Sequence, residues 1–371
     1  MRFVLFTHSI TSDWNHGNAH FLRGILRTLH RAGHQTLACE PEDGWSLRNL
    51  RSEPSGATAI AEFAEVFREI AVRRYGADPD LDMLLDGADV VMVHEWTDPA
   101  LVAAIGVKRR AGGRFTLLFH DTHHRAVSAE AQMAALDLQD YDAVLAFGAV
   151  LSETYRRRGW GQRVFTWHEA ADTELFRPCP DIAAERDLVF VGNWGDAERS
   201  DELHRFLVGP SARLKLKTTV HGVRYPAMAI EALSAAGIDA QGYLPNLMVP
   251  QVFAQHRATI HVPRGPYVRR LPGIPTIRVF EALASGIALI SAPWSDSEGL
   301  FRPGSDFLIA KDGQDMERKL KQLMADVPMR QALAASGRAQ ILKRHSCHHR
   351  VDELLAIVAG LGAPASREVA A

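Results

Sequence analysis

Cysteine, long hydrophobic runs and an excess of one charge are all scarce in this sequence. The three cysteines, Cys39, Cys179 and Cys347, are odd in number and far apart, which favours reduced thiols over a disulfide framework. No apolar run reaches the length of about 18 residues that a transmembrane helix needs. The formal net charge of −2 at pH 7 lacks the basic excess of nucleic-acid binders. We therefore expect a cytoplasmic protein without a membrane span or a nucleic-acid partner.

Signals for several other functions are missing as well. The chain has no G-x-G-x-x-G fingerprint, which argues against an enzyme that uses nicotinamide or flavin. The histidines His120, His123 and His124 match no metal-ligand spacing such as H-E-x-x-H. The first residues, Met1–Ser9, lack the long apolar stretch and the cleavage site of a signal peptide. We therefore expect no metal, no resident cofactor and no signal peptide.

The sequence does contain a regular alternation of short apolar runs with helical patterns. The run Phe3–Phe6 predicts a buried strand, and the apolar spacing along Asn18–Ala32 predicts an amphipathic helix after it. A second series of this kind begins after the proline-containing stretch Phe176–Pro180. Apolar residues from Ile60 to Ala71 predict a helix whose place in the fold stays open. Such alternation predicts parallel α/β sheets, and 371 residues suffice for two domains. The predicted strands are Phe3–Phe6, Val90–Val93, Thr116–Phe119, Ala143–Ala146, Leu188–Val191, Lys215–Val220, Thr259–Val262, Ala288–Ile290 and Phe307–Ala310.

The segment Leu271–Ala310 is the most informative part of the chain. Pro275 suits the first position of a helix, and apolar residues then recur at helical spacing until the next glycine. A helix start offers unpaired N–H groups and positive partial charge, so Pro275, Thr276 and Ile277 are candidates for binding a phosphate. Glu281 lies about 8 Å further along the helix axis, which is close to the separation between a nucleotide's phosphate and its ribose hydroxyls. The pattern alone leaves an ordinary surface helix as the alternative.

One motif in this segment resembles a known family. Arg278–Gly286 (RVFEALASG), followed by an apolar strand, resembles the donor-sugar motif of the retaining GT-B glycosyltransferases called group 1, and in particular the CgeB-like, spore-maturation type. Three further segments resemble the family in the same order. They are a first helix that ends in a Gly-His pair (Asn18–His34), an interdomain signature (His168–Pro178), and the strand and basic loop that open the second domain (Leu188–Gly192 with Arg199).

The resemblance implies a GT-B fold, in which two Rossmann-like domains with parallel sheets face an interdomain cleft. An acceptor-side domain would span residues 1–175, and a nucleotide-sugar-binding domain would span residues 176–345. Residues 346–371 would form a final helix that packs back on the first domain, followed by a frayed tail. The partners implied are a nucleotide diphosphate sugar as co-substrate and an acceptor that the sequence does not identify.

The resemblance also implies which residues form the site. His120 follows a predicted strand and matches the family residue that contacts the donor sugar and the reacting phosphate, while Arg199 matches the cation that neutralises the diphosphate. These two are the catalytic candidates. The candidates for binding the nucleotide or its phosphates are Gly17, Gly192, Asn193, Gly222, Tyr243, Pro275, Thr276, Ile277 and Glu281, of which the last would fix the ribose. The candidates for contacting the sugar or the acceptor are Asp121, Gly273 and Arg270.

For several of these residues a simpler role is equally open. Gly17 also suits a turn that any protein needs, Tyr243 also suits plain packing, and Arg270 also suits a solvated loop. We expect His123 and His124 to be exposed to solvent.

Two departures from the family pattern bear on catalysis. The family has an arginine directly after the glycine at position 192 and a lysine six residues after it, where this chain has Asn193 and Glu198, with Arg199 one place later. The family also has a second glutamate eight residues before Glu281, where this chain has Gly273. We expect the backbone N–H of Gly273 to contact the sugar hydroxyls instead.

We therefore expect a glycosyltransferase that moves a hexose from a nucleotide diphosphate sugar to an acceptor hydroxyl with retention of configuration. By resemblance, the leaving diphosphate takes the acceptor proton on the same face of the sugar, so the protein's main task is to neutralise the departing charge. The two departures keep alternatives open: a catalytically inactive nucleotide-sugar-binding partner subunit, or a GT-B sugar epimerase.

Overall fold

The computed structural model describes residues 1–195 and 199–362. In this part of the chain a seven-stranded sheet with the order β3-β2-β1-β4-β5-β6-β7 is followed by a six-stranded sheet with the order β10-β9-β8-β11-β12-β13, and neighbouring strands pair in parallel. The strands are β1 (Arg2–Phe6), β2 (Gln35–Pro41), β3 (Ala71–Tyr75), β4 (Val90–His94), β5 (Thr116–Asp121), β6 (Ala143–Ala146), β7 (Val164–Thr166), β8 (Arg186–Val191), β9 (Thr218–His221), β10 (Asp239–Gly242), β11 (His256–His261), β12 (Ala288–Ser291) and β13 (Leu308–Ile309).

Helices connect these strands and cover the sheets. They are α1 (Ala19–Arg31), α2 (Trp45–Ser52), α3 (Gly56–Val66), α4 (Leu81–Leu85), α5 (Pro99–Arg110), α6 (Arg125–Ser128), α7 (Glu130–Ala134), α8 (Ala149–Arg158), α9 (Ser200–Leu203), α10 (Gly209–Leu214), α11 (Ala227–Ala235), α12 (Val249–Ala254), α13 (Gly265–Arg269), α14 (Ile277–Ser285), α15 (Gly313–Ala325), α16 (Val327–Arg344) and α17 (Cys347–Gly362). None of these described helices combines the length and the apolarity needed to cross a membrane.

The central strand β1 shows why the apolar runs form sheets that are covered on both faces. Successive side chains of a strand point to opposite faces, so Phe3 and Leu5 join one hydrophobic cluster while Val4 and Phe6 join another. The predicted helix after β1 is confirmed as α1, whose apolar residues are buried. It ends before Gly33, which adopts a φ of +85°.

The predicted helix between Ile60 and Ala71 is correct for its first part only. Helix α3 ends at Val66, and Ala71 begins β3, which pairs with β2 at the edge of the first sheet. An edge strand tolerates charged residues because one of its sides faces solvent. The charged sequence of β3, with Arg73 and Arg74, therefore gave no apolar run to reveal it.

Helix α14 begins two residues later than predicted. Thr276 is its N-cap, with an extended ψ of 160°, so Pro275 precedes the helix. Threonine is a favoured N-cap residue, but Thr276 makes no side-chain cap hydrogen bond and its Oγ1 lies next to His261 instead. The predicted end is confirmed, because Gly286 caps the helix with a left-handed φ of 71°.

The last two helices return the chain to the first sheet. Ser346 forms a bridge with Ala171, and α17 packs against α1. Trp167 donates a hydrogen bond from Nε1 to the carbonyl of Arg350 at 2.9 Å. The exact domain boundaries stay predictions, and the tail from residue 363, expected to be frayed, lies outside the described residues.

Candidate active site

A cavity of about 240 Å³ lies between the two sheets. It opens at the carboxyl ends of strands from both sheets, where parallel α/β sheets bind ligands. The first domain lines it with residues from the loops after β1, β5 and β6 and from the interdomain segment: Asp13, Asn15, His16, Gly17, Asn18, Thr122, His123, Phe147 and Glu169. The second domain lines it with Phe190, Val191, Gly192, Asn193, Gly195, Arg199, His221, Gly222, Val223, Tyr243, Leu244, Asn246, Ile260, His261, Val262, Arg264, Tyr267, Thr276, Ile277 and Arg278.

Two buried charges shape the loop after β1. The carboxylate of Glu40 accepts hydrogen bonds from the backbone N–H groups of Ile10 and Thr11, at 2.8 and 3.0 Å. The guanidinium of Arg23 donates to the carbonyls of the same two residues, at 2.8 and 2.9 Å, and to Asp13 at 3.0 Å. A loop held from both sides presents its polar groups to the cavity in one arrangement.

Asp13 also ties the two domains together across the cavity mouth. Its carboxylate accepts hydrogen bonds from the hydroxyl of Tyr243 and, at 3.1 Å, from the backbone N–H of Asn246. A second contact runs from the amide of Asn193 to Asn15. These contacts narrow the cleft between the domains. The cavity volume of about 240 Å³ is below the range of about 300–1,000 Å³ that is usual for ligand sites.

Three arginines line the cavity beside the start of α14. Arg199 is buried and donates to the carbonyls of Val262, at 3.0 Å, and Trp194, at 3.2 Å. Arg278 stands in the first turn of α14, and Arg264 comes from the loop after β11. Together with the helix start, they make this wall strongly favourable for an anion such as a diphosphate.

Thr276 and His261 connect the helix start with the second sheet. Thr276 Oγ1 lies 3.0 Å from His261 Nε2, and His261 Nδ1 lies 3.0 Å from Ser291 Oγ. Burial and the adjacent Arg199 lower the pKa of His261 to about 3, so this imidazole is neutral at pH 7. The positive charge of the wall therefore comes from the arginines.

Most of the predicted nucleotide-binding residues line this cavity, and their roles stay predictions. Gly17, Gly192, Asn193, Gly222, Tyr243, Thr276, Ile277 and the catalytic candidate Arg199 are all among the lining residues. Pro275 is buried and does not line the cavity. Glu198, which occupies the family's lysine position, lies outside the described residues.

The structure does not place Glu281 in the cavity. Its carboxylate is fully buried, lies 2.8 Å from Nδ1 of His20 and pairs with Arg278. Burial opposes ionisation of Glu281, but the charges of Arg278 and His20 together lower its pKa below the usual value. The predicted ribose contact therefore has no geometric support in this arrangement.

His120 and Asp121 do not line the cavity, so this structure gives no support to their predicted contacts with the sugar or the acceptor. Strand β5 continues to Asp121, so both residues still belong to the sheet. The ring of His120 packs against Trp167 at a centroid distance of 4.9 Å, and burial lowers its pKa to about 3. The carboxylate of Asp121 accepts hydrogen bonds from the Tyr155 hydroxyl, at 2.7 Å, and from the backbone of His123, at 2.9 Å.

His123 takes the place in the cavity wall that was predicted for His120. It lines the cavity next to Thr122, and burial together with nearby positive groups lowers its pKa well below the usual value. His124 is buried and lies 2.7 Å from the hydroxyl of Ser128. The prediction that His123 and His124 are exposed is therefore wrong, because the chain turns inward directly after β5.

Gly273 and Arg270 do not contact the cavity either. The N–H of Gly273 donates to the carbonyl of Ser295 at 2.8 Å, so it is not available to a sugar hydroxyl. Gly273 has a φ of +93°, and a Cβ there would lie 2.3 Å from Ser297 Oγ. This backbone requires glycine, which explains why the family's glutamate is absent here. Arg270 is exposed and donates to the carbonyl of Val127.

Two lining residues were missed as candidates although the sequence contained a signal. Arg278 is a cation in the first turn of α14, where the helix dipole disfavours positive charge, and the Glu281 carboxylate three residues later pairs with it. Glu169 belongs to the recognised interdomain segment and is only 2% exposed. Burial and the nearby Glu281 raise the pKa of Glu169 well above its usual value, while Arg278 opposes the shift.

Comparison with known proteins agrees with this geometry. Residues 199–356 match the family model described as "Glycosyl transferase-like". The comparison with curated protein sequences gives no match.

Solved structures match over nearly the whole chain. A sucrose-phosphate synthase from Thermosynechococcus elongatus is 13% identical, with a TM-score of 0.66 over 97% of this chain and 99% of that one. Anabaena HepE in complex with UDP and glucose is 14% identical, with a TM-score of 0.69 over 97% and 100%. A glycosyltransferase from Rickettsia africae is 10% identical, with a TM-score of 0.67 over 97% and 98%. At these identities the likeness establishes the fold, and the predicted GT-B architecture is confirmed. The family match covers residues 199–356, which is less than half of the chain.

Proposed function

We propose that this protein transfers a hexose from a UDP-sugar to an acceptor hydroxyl, with retention of configuration. The observation that carries the proposal is the interdomain cavity, which is lined by three arginines and by the start of α14. A diphosphate suits this wall because backbone N–H groups and guanidinium groups favour the same anion. The choice of uridine is supported by the Anabaena relative, which was solved with UDP and glucose.

The charges in the cavity wall match the charge that develops during transfer. The bond between the sugar's anomeric carbon and the diphosphate oxygen breaks, and the acceptor oxygen forms its new bond on the same face. The acceptor proton passes to the leaving diphosphate. Arg199, Arg264 and Arg278 stabilise the charge that grows on this leaving group, since preorganised cations lower the barrier of such a step. We propose that these arginines make a metal ion unnecessary.

The opposite wall belongs to the first domain and suits the sugar and the acceptor. Thr122 and His123 line it, and the hydroxyl of Thr122 accepts a hydrogen bond from Asn18 at 2.7 Å. His123 is neutral at pH 7 because its pKa is lowered, so its ring donates or accepts hydrogen bonds without adding charge. This combination suits neutral hydroxyl groups. The CgeB-like subtype and a cytoplasmic location belong to the same proposal, supported by the four ordered motifs in the sequence.

A ligand screen followed by product analysis tests the proposal. Thermal unfolding is measured with UDP, GDP and ADP, and then with a panel of UDP-hexoses. A ligand at one hundred times its Kd adds about 2.7 kcal/mol to the stability, so the melting temperature rises with the correct nucleotide. The proposal is contradicted if none of these nucleotides raises it.

Incubation of the best UDP-sugar without an acceptor then separates the three activities. Slow release of the sugar with its configuration retained, followed by nuclear magnetic resonance, supports the transferase. A converted UDP-sugar indicates an epimerase. Binding without hydrolysis, conversion or transfer indicates a partner subunit.

A further inference from the structure

Glu169 is a buried carboxyl group in the wall of the cavity, and one of its two oxygens has no hydrogen-bond partner among the described residues. The residue is 2% exposed, and its Oε1 atom is buried without a hydrogen-bond partner among the described residues. Buried polar atoms are nearly always paired with protein, ordered water or ligand. The Oε1 atom therefore marks a position for a group that enters the cavity.

The backbone around Glu169 is anchored, so the side chain is held in place. The carbonyl of Glu169 accepts a hydrogen bond from Arg350 Nε at 3.4 Å, and the preceding His168 lies 2.8 Å from a carboxylate oxygen of Glu298. Two residues later, the N–H of Ala171 donates to the carbonyl of His345 at 3.0 Å. A side chain on such a support needs little ordering when a ligand binds.

The surroundings of Glu169 favour a neutral carboxyl over a carboxylate. Burial and the nearby Glu281 raise its pKa well above the usual value, against the opposing effect of Arg278. A protonated carboxyl has one O–H donor and further acceptor capacity, which is the pattern that pairs with a hydroxyl group. It also does not repel the phosphates of a nucleotide sugar. The other acidic residue that lines the cavity, Asp13, already bonds to Arg23, Tyr243 and Asn246.

Glu169 lines the cavity from the first domain, as do Thr122 and His123, to which the proposed function assigns the sugar and the acceptor. Arg278, whose charge opposes the shift of the Glu169 pKa, stands in the first turn of α14, where the proposed function places the diphosphate. The group directly beyond the diphosphate of a nucleotide sugar is the transferred sugar. We propose that the carboxyl of Glu169 hydrogen-bonds a hydroxyl of that sugar and so selects the sugar of the donor. This inference rests on the proposed function.

Calorimetric titration of two variants tests this assignment, with UDP and with the UDP-sugar that stabilises the wild type most. For Glu169→Ala we expect about a tenfold loss of affinity for the UDP-sugar, the effect of one hydrogen bond, and no change for UDP. Glu169→Gln keeps a donor and an acceptor at the same place, so we expect its UDP-sugar affinity to stay within about threefold of the wild type.

Glu298→Ala is the matched control. Its carboxylate accepts a hydrogen bond from the backbone of Ala149 at 2.9 Å, pairs with His168, and does not line the cavity. This variant removes one contact near Glu169 but keeps its carboxyl and the backbone hydrogen bonds with Arg350 and His345, so we expect no loss that is specific to the UDP-sugar.

Each outcome decides the assignment. Equal losses for UDP and the UDP-sugar in Glu169→Ala indicate a structural role and overturn it, and unchanged UDP-sugar affinity removes Glu169 from the site. If the wild type binds UDP but no UDP-sugar, this assignment fails while nucleotide binding stands. If the wild type binds neither, the proposed function itself is wrong, which is seen before any variant is prepared.

Discussion

At the scale of single residues, the carboxylate of Glu281 contacts side chains of the protein and does not line the cavity. Its carboxylate faces His20 and Arg278 and is fully buried. Its removal leaves these two basic groups without a counter-charge. We therefore expect Glu281→Ala to lower the free energy of unfolding by about 3 kcal/mol, measured by urea unfolding at pH 7. Unchanged unfolding together with weaker UDP binding would contradict this expectation and restore the predicted ribose contact.

His120 and His123 differ in a way that predicts opposite effects of the same substitution. His123 lines the cavity, whereas His120 is fully buried against Phe21 and Trp167. We expect His123→Ala to reduce turnover at least tenfold with a nearly unchanged melting temperature, since small losses of positioning raise the barrier. For His120→Ala we expect a loss of about 3 kcal/mol in stability, because the truncation opens a cavity in the core.

One preparation of each variant supports both measurements. Turnover is followed with the UDP-sugar, and unfolding is followed by circular dichroism. The assignment is reversed if His120→Ala loses turnover at full stability while His123→Ala keeps it.

The difference between His120 and His123 also shows which properties of a residue the sequence predicts and which it does not. Motif spacing correctly located Arg199, Thr276 and Ile277 at the cavity, because it depends on which strand or helix end a residue occupies. The direction of His120 depends instead on where β5 ends. Strand β5 continues for two residues beyond its predicted end. The side chains of His120 and Asp121 therefore point to the two covered faces of the sheet.

At the scale of secondary-structure elements, the buried central strands were predictable and the edges were not. Strands β1, β4 and β6 are covered on both faces and appear in the sequence as continuous apolar runs. Strand β3 lies at an edge and β10 is short and largely exposed, so neither has an apolar run. Strands β3 and β10 form because they pair with β2 and β9. Such pairing depends on the tertiary structure and leaves no local pattern in the sequence.

The contact between α1 and α17 depends on a glycine. A Cβ at Gly24 would lie 2.6 Å from Cys347 Sγ and 2.9 Å from Asp172 Cβ. We expect Gly24→Ala to lower the free energy of unfolding by about 2 kcal/mol, because overpacking outweighs the gain in helix propensity. Thermal or urea unfolding measures this loss.

Gly360, in α17, is the matched control for that substitution. A Cβ at Gly360 would meet nothing within 4 Å. Gly360→Ala should therefore be neutral or stabilising by up to about 1 kcal/mol. If both substitutions changed the free energy of unfolding equally, the contact between α1 and α17 would accommodate the extra Cβ at Gly24 without cost.

At the scale of the whole molecule, many histidines are buried as neutral groups. Burial lowers the pKa of His8 to about 4 and those of His120, His261 and His345 to about 3. In the unfolded chain these groups titrate near their ordinary value of about 6.5. Between these values the unfolded state binds more protons, so the stability of the fold decreases as the pH falls below about 6.5.

Buried acids oppose this trend but are fewer. Burial raises the pKa of Asp121 to about 6 and those of Glu95 and Glu169 well above the usual value. These groups are protonated earlier in the folded state, so each one adds stability as the pH falls through the same interval. These three acids therefore cancel only part of the loss caused by the buried histidines, which also include His16 and His94.

We therefore predict that the free energy of unfolding falls between pH 7 and pH 5, by up to about 1.4 kcal/mol per pH unit for each proton that the unfolded state binds in excess. Urea unfolding at intervals of half a pH unit measures this slope. His120→Phe removes one neutral histidine and leaves an apolar ring beside Phe21 and Trp167, so its slope should be smaller than that of the wild type by up to one proton. A wild-type stability that stays level or rises toward pH 5 would mean that the buried acids dominate, and an unchanged slope in His120→Phe would mean that His120 is already protonated in the folded protein.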